Sequence, residues 1–197
     1  LRAEKAAVII GAGAATGGDI AKRFAKEGYV ACVTRREAEK RVPLTDEIRA
    51  AGGEARGFGS DARKEDEVVE LFETVEREVG PVEVFVFNIG ANVNFSILEM
   101  TERVYRKVWE MAAYAGFLTG REAARAMVPR GKGTMIFTGA TASLRGGPGF
   151  SAFASAKFAL RALAQSMARE LGPQGIHVAP PIIDGAIDPA FLRAPFP

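Results

Sequence analysis

Cysteine, histidine and tryptophan each occur once in this 197-residue chain, as Cys32, His177 and Trp109. A single cysteine cannot close an internal disulfide, which suits a reducing compartment and leads to the expectation of a cytoplasmic protein. One Cys and one His supply no ligand set, so no metal site is expected. Cys32 reads as a small core hydrophobe and His177 as a half-buried strand residue. Charge of one sign is scarce too: 26 basic and 24 acidic residues leave +2, too little for a nucleic-acid or anionic-membrane footprint. No run approaches the ~18 uninterrupted apolar residues of a membrane span, and no signal peptide opens the chain. An apolar share of 48% with 25% charged residues excludes disordered, collagenous and coiled-coil classes. Leu1 stands where a methionine would start and the chain stops at Pro195-Phe196-Pro197, so trimmed ends are expected.

What is present is a regular alternation of short apolar runs with longer helix-period stretches. Strands are expected at Ala6–Ile10, Val30–Thr34, Glu54–Gly59, Val82–Phe87, Thr134–Thr138 and from Ile176 to Val178. Helices are expected at Asp19–Glu27, Glu37–Ala51, Glu65–Val79, Ser151–Leu171 and, as one long element, Glu102–Met127. Six βα units in succession imply right-handed crossovers and one parallel sheet covered on both faces. The expected fold is therefore α/β: a Rossmann-like, doubly wound, three-layer αβα domain spanning the whole chain. Pro180-Pro181 falls inside the expected sixth strand, where two missing N–H donors suit a sheet edge.

The first strand runs directly into Gly11-Ala12-Gly13-Ala14-Ala15-Thr16-Gly17-Gly18. A glycine-rich turn there lets the backbone approach a pyrophosphate, while the following helix N-terminus offers free N–H groups. Against G-x-G-x-x-G the turn matches Gly11 and Gly13 with Thr16 third; against G-x-x-x-G-x-G it matches Gly11 and Gly17 with Ala15 between. The second strand ends Thr34-Arg35-Arg36. A guanidinium pair suits a ribose 2′-phosphate, whereas readers of NAD place a carboxylate at this point. Arg35 and Arg36 therefore favour NADP(H) over NAD, the alternative being two solvated arginines at a helix entry.

At this point the residues resemble the short-chain dehydrogenase/reductase family, from Ala6 to about Asp188. The resemblance rests on the glycine turn, Ser60-Asp61-Ala62, Asn88-Ile89-Gly90-Ala91, the stretch Leu144-Arg145-Gly146-Gly147-Pro148 through Lys157-Phe158-Ala159-Leu160, and Gly175-Ile176-His177-Val178. It implies cofactor contacts from Gly11, Gly13, Ala15, Thr16, Gly17, Arg35, Arg36, Asp61, Ala62, Asn88, Gly90, Lys157 and Gly185, with Asp61 meeting adenine. It also implies a homodimer or homotetramer through the long helix and the Lys157 helix, a face to which Trp109 could contribute an anchor. A substrate loop and a seventh, final edge strand are expected after Phe191 and are not in the chain.

The same resemblance exposes a gap. The family's Tyr-x-x-x-Lys pair keeps its lysine as Lys157, but the tyrosine position is Phe153, the serine position Ala140 and the asparagine position Ala113. Phenylalanine has no proton to give and alanine no hydroxyl to polarise a carbonyl. The substitutes the sequence offers are Thr141, Ser143 and Asp184, the last with a raised pKa if its carboxyl is desolvated. Asp184 could equally be a turn residue before Gly185. Three readings follow: an NADP(H)-dependent oxidoreductase of a small or medium carbonyl or alcohol with an unusual acid, a dinucleotide-binding protein without catalysis (a sensor or partner subunit), and a cofactor-free scaffold.

Overall fold

The computed structural model describes residues 4–13, 15–37 and 42–185. Its strands are β1 (Ala6–Ile10), β2 (Val30–Arg35), β3 (Glu54–Gly59), β4 (Val82–Phe87), β5 (Gly133–Phe137), β6 (Gly139–Ala140), β7 (Ile176–Ala179) and β8 (Ile182–Ile183). The helices are α1 (Thr16–Lys26), α2 (Val42–Ala50), α3 (Glu65–Glu78), α4 (Glu102–Trp109), α5 (Ala115–Met127) and α6 (Ser151–Leu171). Six strands form one sheet in the order β3-β2-β1-β4-β5-β7, parallel throughout. The chain winds outward from β1 on one side and from β4 on the other, so a crevice opens where the winding reverses, at the carboxyl ends of β1 and β4.

Residue alternation explains the two covered faces. Ala6, Val8, Ile10 and Cys32 point into a core with Leu71 and Val75 of α3, Leu118 of α5 and Leu160 of α6. Ala7, Ile9, Ala31 and Val33 point the other way, toward Ala21 of α1 and Leu44 and Ile48 of α2. β1 is buried along its full length, as an apolar run between two helix layers must be. Between β1 and β4 the register slips at Ala6/Ala7, where Val82 and then Val84 are the partners. The extra residue, Glu83, pairs with Lys5 at 3.3 Å and Lys132 at 3.1 Å, and Val82, Phe85 and Phe87 all reach the same core. Burial pushes the Cys32 thiol up to about 12, so it packs as a hydrophobe.

Three expectations need correction. The long helix is not continuous: Glu110–Tyr114 between α4 and α5 is a π-helical turn. Ala112 and Ala113 in that turn pack against Ala152 and Ala156 of α6. The prolines are not inside a strand. β7 ends at Ala179, and β8 resumes beyond Pro181 to pair with β6; Pro181 lacks an N–H, but its carbonyl accepts from the Gly139 N–H at 2.8 Å. His177 is exposed rather than half-buried, because its neighbours Ile176 and Val178 take the inward positions on β7, the edge strand of the described sheet. The expected start of the second helix at Glu37 runs into residues 38–41, which lie outside the described residues.

Candidate cofactor and substrate site

The glycine turn is built by collision avoidance. Gly11 has φ +82°, and a Cβ on it would stand 2.7 Å from the Asn88 carbonyl oxygen. A Cβ on Gly17 would collide with the Gly11 carbonyl oxygen and lie 3.0 Å from both Ala12 Cα and Asn88 Nδ2. These two glycines and Asn88 therefore lock β1, α1 and the end of β4 together. Gly13 differs: nothing lies within 4 Å of where its Cβ would be, while its N–H donates to the Gly11 carbonyl at 2.8 Å. Ala15 is the residue before α1 and makes no side-chain cap. The first N–H groups of that helix, including those of Thr16 and Gly17, thus get no cap from it.

Beside this turn lies a cleft of about 270 Å³ lined by Gly11, Arg35, Arg36, Asp61, Arg63 and Met111, among others. The ends of β2 and β3 bring its charged groups together. Asp61 accepts from Arg63 Nε at 2.9 Å and Nη2 at 2.6 Å. The Arg63 guanidinium is the main reason that the Asp61 carboxyl is held down at about 2, and Arg36 adds to the attraction. Ser60 and Ala62 also line the cleft. The buried Thr34 hydroxyl instead donates to the Ile9 carbonyl at 3.0 Å, tying β2 to β1.

The segment after β4 forms the next wall. Ile89 lines the same cleft, Gly90 is exposed with open space at its Cβ position, and Ala91 has φ +130°. That value is a strained one for a residue with a Cβ. Lys157 sits beneath, 3% exposed, with Nζ donating to the Ile89 carbonyl at 3.2 Å and the Thr138 carbonyl at 2.9 Å. It clips the end of β5 to the turn after β4. Desolvation lowers its pKa from 10.5 to about 8. The Phe153 ring lies over Nζ, 5.8 Å from centroid to nitrogen.

A second cavity, about 360 Å³, is lined by Ala140, Thr141, Phe153, Asp184 and Gly185 together with the glycine-rich loop before α6. Two of the three positions at which the resemblance leads one to expect catalytic groups line this cavity, as Ala140 and Phe153. The third, Ala113, is buried in the π-helical turn against α6. Thr141 donates its hydroxyl to an Asp184 carboxylate oxygen, so two candidates far apart in sequence meet. Ser143 turns elsewhere: it is 1% exposed, and its Oγ accepts the Ala140 N–H at 3.1 Å. Asp184 is exposed, which removes the desolvation that an acid role was expected to draw on.

Arg63 and Met111 were not foreseen as cleft residues. Arg63 follows the recognised Ser60-Asp61-Ala62 by one position, and a forked Asp–Arg pair at that spacing was the available signal. Met111 had none, since the π-helical turn that presents it is not readable from periodicity. Among the described residues no helix is long and apolar enough to cross a membrane. No group of three or more His, Cys, Asp or Glu that could hold a metal ion occurs among them.

A family profile described as short chain dehydrogenase matches residues 5–192. The chain is similar to a solved short-chain dehydrogenase from Rhodopseudomonas palustris at 58% identity and a TM-score of 0.89, covering 94% of this chain and 86% of that one. It is similar to a variant of the actinorhodin polyketide ketoreductase solved with NADPH, at 28% identity and a TM-score of 0.85 over 89% of this chain and 68% of that one. It is also similar to a metagenomic short-chain oxidoreductase in complex with NADP, at 26% identity and a TM-score of 0.85 over 95% of this chain and 84% of that one.

Proposed function

This chain belongs to the short-chain dehydrogenase family, and from that premise we propose that it is an NADP(H)-dependent oxidoreductase acting on a small or medium carbonyl or alcohol. The observation that carries the reading is the 270 Å³ cleft, in which Gly11, the first residue of the glycine turn, shares the lining with Arg35, Arg36 and the Asp61 turn. The residues fit a dinucleotide. A side chain added at Gly13 would meet nothing within 4 Å, so the turn leaves room beside it for a pyrophosphate, and the first N–H groups of α1 receive no side-chain cap from Ala15. Arg35 and Arg36 would take the ribose 2′-phosphate, and Asn88 and Gly90 would border the cofactor; Lys157 lines neither cavity, and its Nζ would reach the nicotinamide ribose only by giving up a bond to the Ile89 or Thr138 carbonyl. When bound, the nicotinamide ring supplies or accepts the hydride. Two of the relatives were solved with NADPH or NADP, which supports the same choice of cofactor.

The proton side of the reaction has to come from this chain's own groups. Phe153 has none; the Thr141 hydroxyl is the side-chain O–H lining the second cavity, and for it to protonate a reduced carbonyl Asp184 must first take a proton from solvent and donate it back to Thr141. A second reading, a dinucleotide-binding protein without turnover, is favoured by Phe153 and Ala140 standing at that cavity. A fluorescence titration with NADPH and NADH followed by a carbonyl panel at high enzyme concentration separates them. Tighter binding of NADPH with turnover lost in Thr141→Val supports the enzyme. Tight NADPH binding with no turnover of any carbonyl supports the second reading, and no binding refutes both. A dimer or tetramer through the α4–α5 segment and α6 belongs to the same proposal, supported by exposed Trp109 and Phe117 and a hollow of about 280 Å³ lined by Phe117, Leu163 and Met167; sedimentation checks it.

A further inference from the structure

The three-residue turn after β6, Thr141–Ser143, is fixed on both sides. Ser143 Oγ accepts the Ala140 N–H at 3.1 Å, and Arg161 of α6 donates to the Ser143 carbonyl at 3.5 Å. The N–H groups of Leu144 and Arg145 both donate to the Thr141 carbonyl, at 2.9 and 3.2 Å. Arg145 thus springs from a pinned backbone, and it lines the 360 Å³ cavity together with Phe150 and Phe153. Among the described residues its guanidinium has no hydrogen bond and no ion pair. Asp184, the one acid of the lining, accepts from Thr141 instead.

Charge decides what such a cavity takes. Arg145 is the one basic residue of the described lining. Buried Lys157, whose pKa stays near 8, adds a second positive charge beside the Phe153 ring, with Nζ 5.8 Å from the centroid. Two positive charges against one carboxylate that already accepts from Thr141 favour an anion over a cation. An arginine fork matches a carboxylate through two parallel N–H···O bonds. The Phe150 and Phe153 rings and Ile183 supply an apolar wall. A carboxylate carried on an apolar body is the chemistry that uses both.

We propose that the second cavity selects oxo acids and hydroxy acids with an apolar body, and that Arg145 is the specificity-determining residue that takes their carboxylate. The inference rests on the oxidoreductase reading and names its substrate class. In the reductive direction the oxo carbon would gain the hydride of a reduced nicotinamide, and its oxygen a proton drawn from solvent through Asp184 and Thr141. The products are the hydroxy acid and the oxidised cofactor, and the carboxylate is unchanged.

The test is calorimetric titration of the full chain with phenylpyruvate, 4-oxo-4-phenylbutanoate and their methyl esters, with NADP⁺ present so that nothing is reduced. NADPH oxidation by the same four compounds at high enzyme concentration follows. The wild type is expected to bind at least one acid about tenfold more tightly than its ester. Arg145→Ala is expected to lose that preference while binding NADPH as the wild type does, and Arg145→Lys, which keeps the charge but not the fork, to fall between. Phe150→Ala is expected to weaken acid and ester alike. Four results overturn the proposal: esters bound as tightly as both acids, no binding of either acid, a preference that survives Arg145→Ala, or an equal loss of acid and ester in Arg145→Ala, which would make Arg145 a structural residue of its loop. Should Arg145→Ala fail to fold by circular dichroism, Arg145→Gln takes its place with the same expectations. An Arg145-dependent preference for acids without any NADPH oxidation would refute the oxidoreductase reading and keep Arg145 as an acid-binding residue. Oxidation of NADPH by the esters as readily as by the acids would refute the role of Arg145 alone.

Discussion

Replacing Lys157 by methionine should change how stability depends on pH more than it changes stability at neutral pH. Lys157 is 3% exposed, and desolvation lowers its pKa from 10.5 to about 8. At about 1.36 kcal/mol for each pH unit, that difference is worth roughly 3 kcal/mol. Below pH 8 the ammonium is charged in both folded and unfolded chains, so the cost of burying it is constant. Between about 8 and 10.5 the folded chain has released the proton while the unfolded chain keeps it. The unfolded state then binds more protons, and stability rises with pH. Methionine carries no such proton. It relieves the cost of a buried charge but leaves the Ile89 and Thr138 carbonyls without their Nζ donor, a loss of about 1–3 kcal/mol for each buried group. The two effects are of similar size at pH 7, so the midpoint there decides little and the slope decides the matter. Urea unfolding of wild type and Lys157→Met at pH 7, 8.5 and 9.5 measures it, and other titrating groups cancel in the difference. Wild type should gain on the variant by about 1–2 kcal/mol between pH 7 and 9.5. Parallel curves, or a wild type that loses ground as pH rises, would refute the assignment of Lys157 as a buried ammonium.

The glycine turn supplies a contrast. Gly17→Ala should lower the thermal midpoint and abolish NADPH binding, because its Cβ meets backbone atoms of Gly11 and Ala12 that cannot step aside cheaply. Gly13→Ala should fold like wild type and still bind NADPH more weakly; equal behaviour of the two variants in paired melting and titration would argue against the geometry. Phe153→Tyr with Ala140→Ser should raise carbonyl reduction by about 10² or more, since a general acid contributes 10²–10⁴ and Lys157 Nζ already stands 5.8 Å from the ring centroid; unchanged steady-state rates would show that more than these groups is lacking. Glu76→Ala should cost about 1–3 kcal/mol in urea unfolding, because that half-buried carboxylate receives both Arg130 nitrogens at 2.8–2.9 Å and the Val82 N–H at 2.7 Å. No loss would make the ion pair ornamental.

Much of the fold is legible in the chain because its signals are local. Val82–Phe87 and Ser151–Leu171 match the observed elements end to end, since a buried strand needs a continuous apolar run and a helix needs its 3.6-residue stripe. The π-helical turn at Glu110–Tyr114 was not legible, because a single π turn leaves no periodic signal of its own, and its Ala112 and Ala113 meet residues of α6 some forty positions on. In the site, the glycine turn and the Arg35-Arg36 pair could be read from residue type and position after a strand. The inward turn of Ser143 could not. Whether a hydroxyl faces a cavity or the Ala140 N–H depends on a single rotamer in a three-residue turn.

The sequence by itself determined the layer order of this protein, the place of its glycine turn between the first strand and first helix, and the absence of a hydroxyl at Phe153 and Ala140. Each of these follows from residue type or from periodicity along the chain. Only the tertiary structure decided that Asp61 spends its carboxylate on Arg63, that Thr141 and Asp184 meet across 43 residues, and that Lys157 clips two strand ends while buried. Those outcomes depend on directional bonds between groups brought together by packing, and no local pattern records which partner a buried donor or acceptor finds.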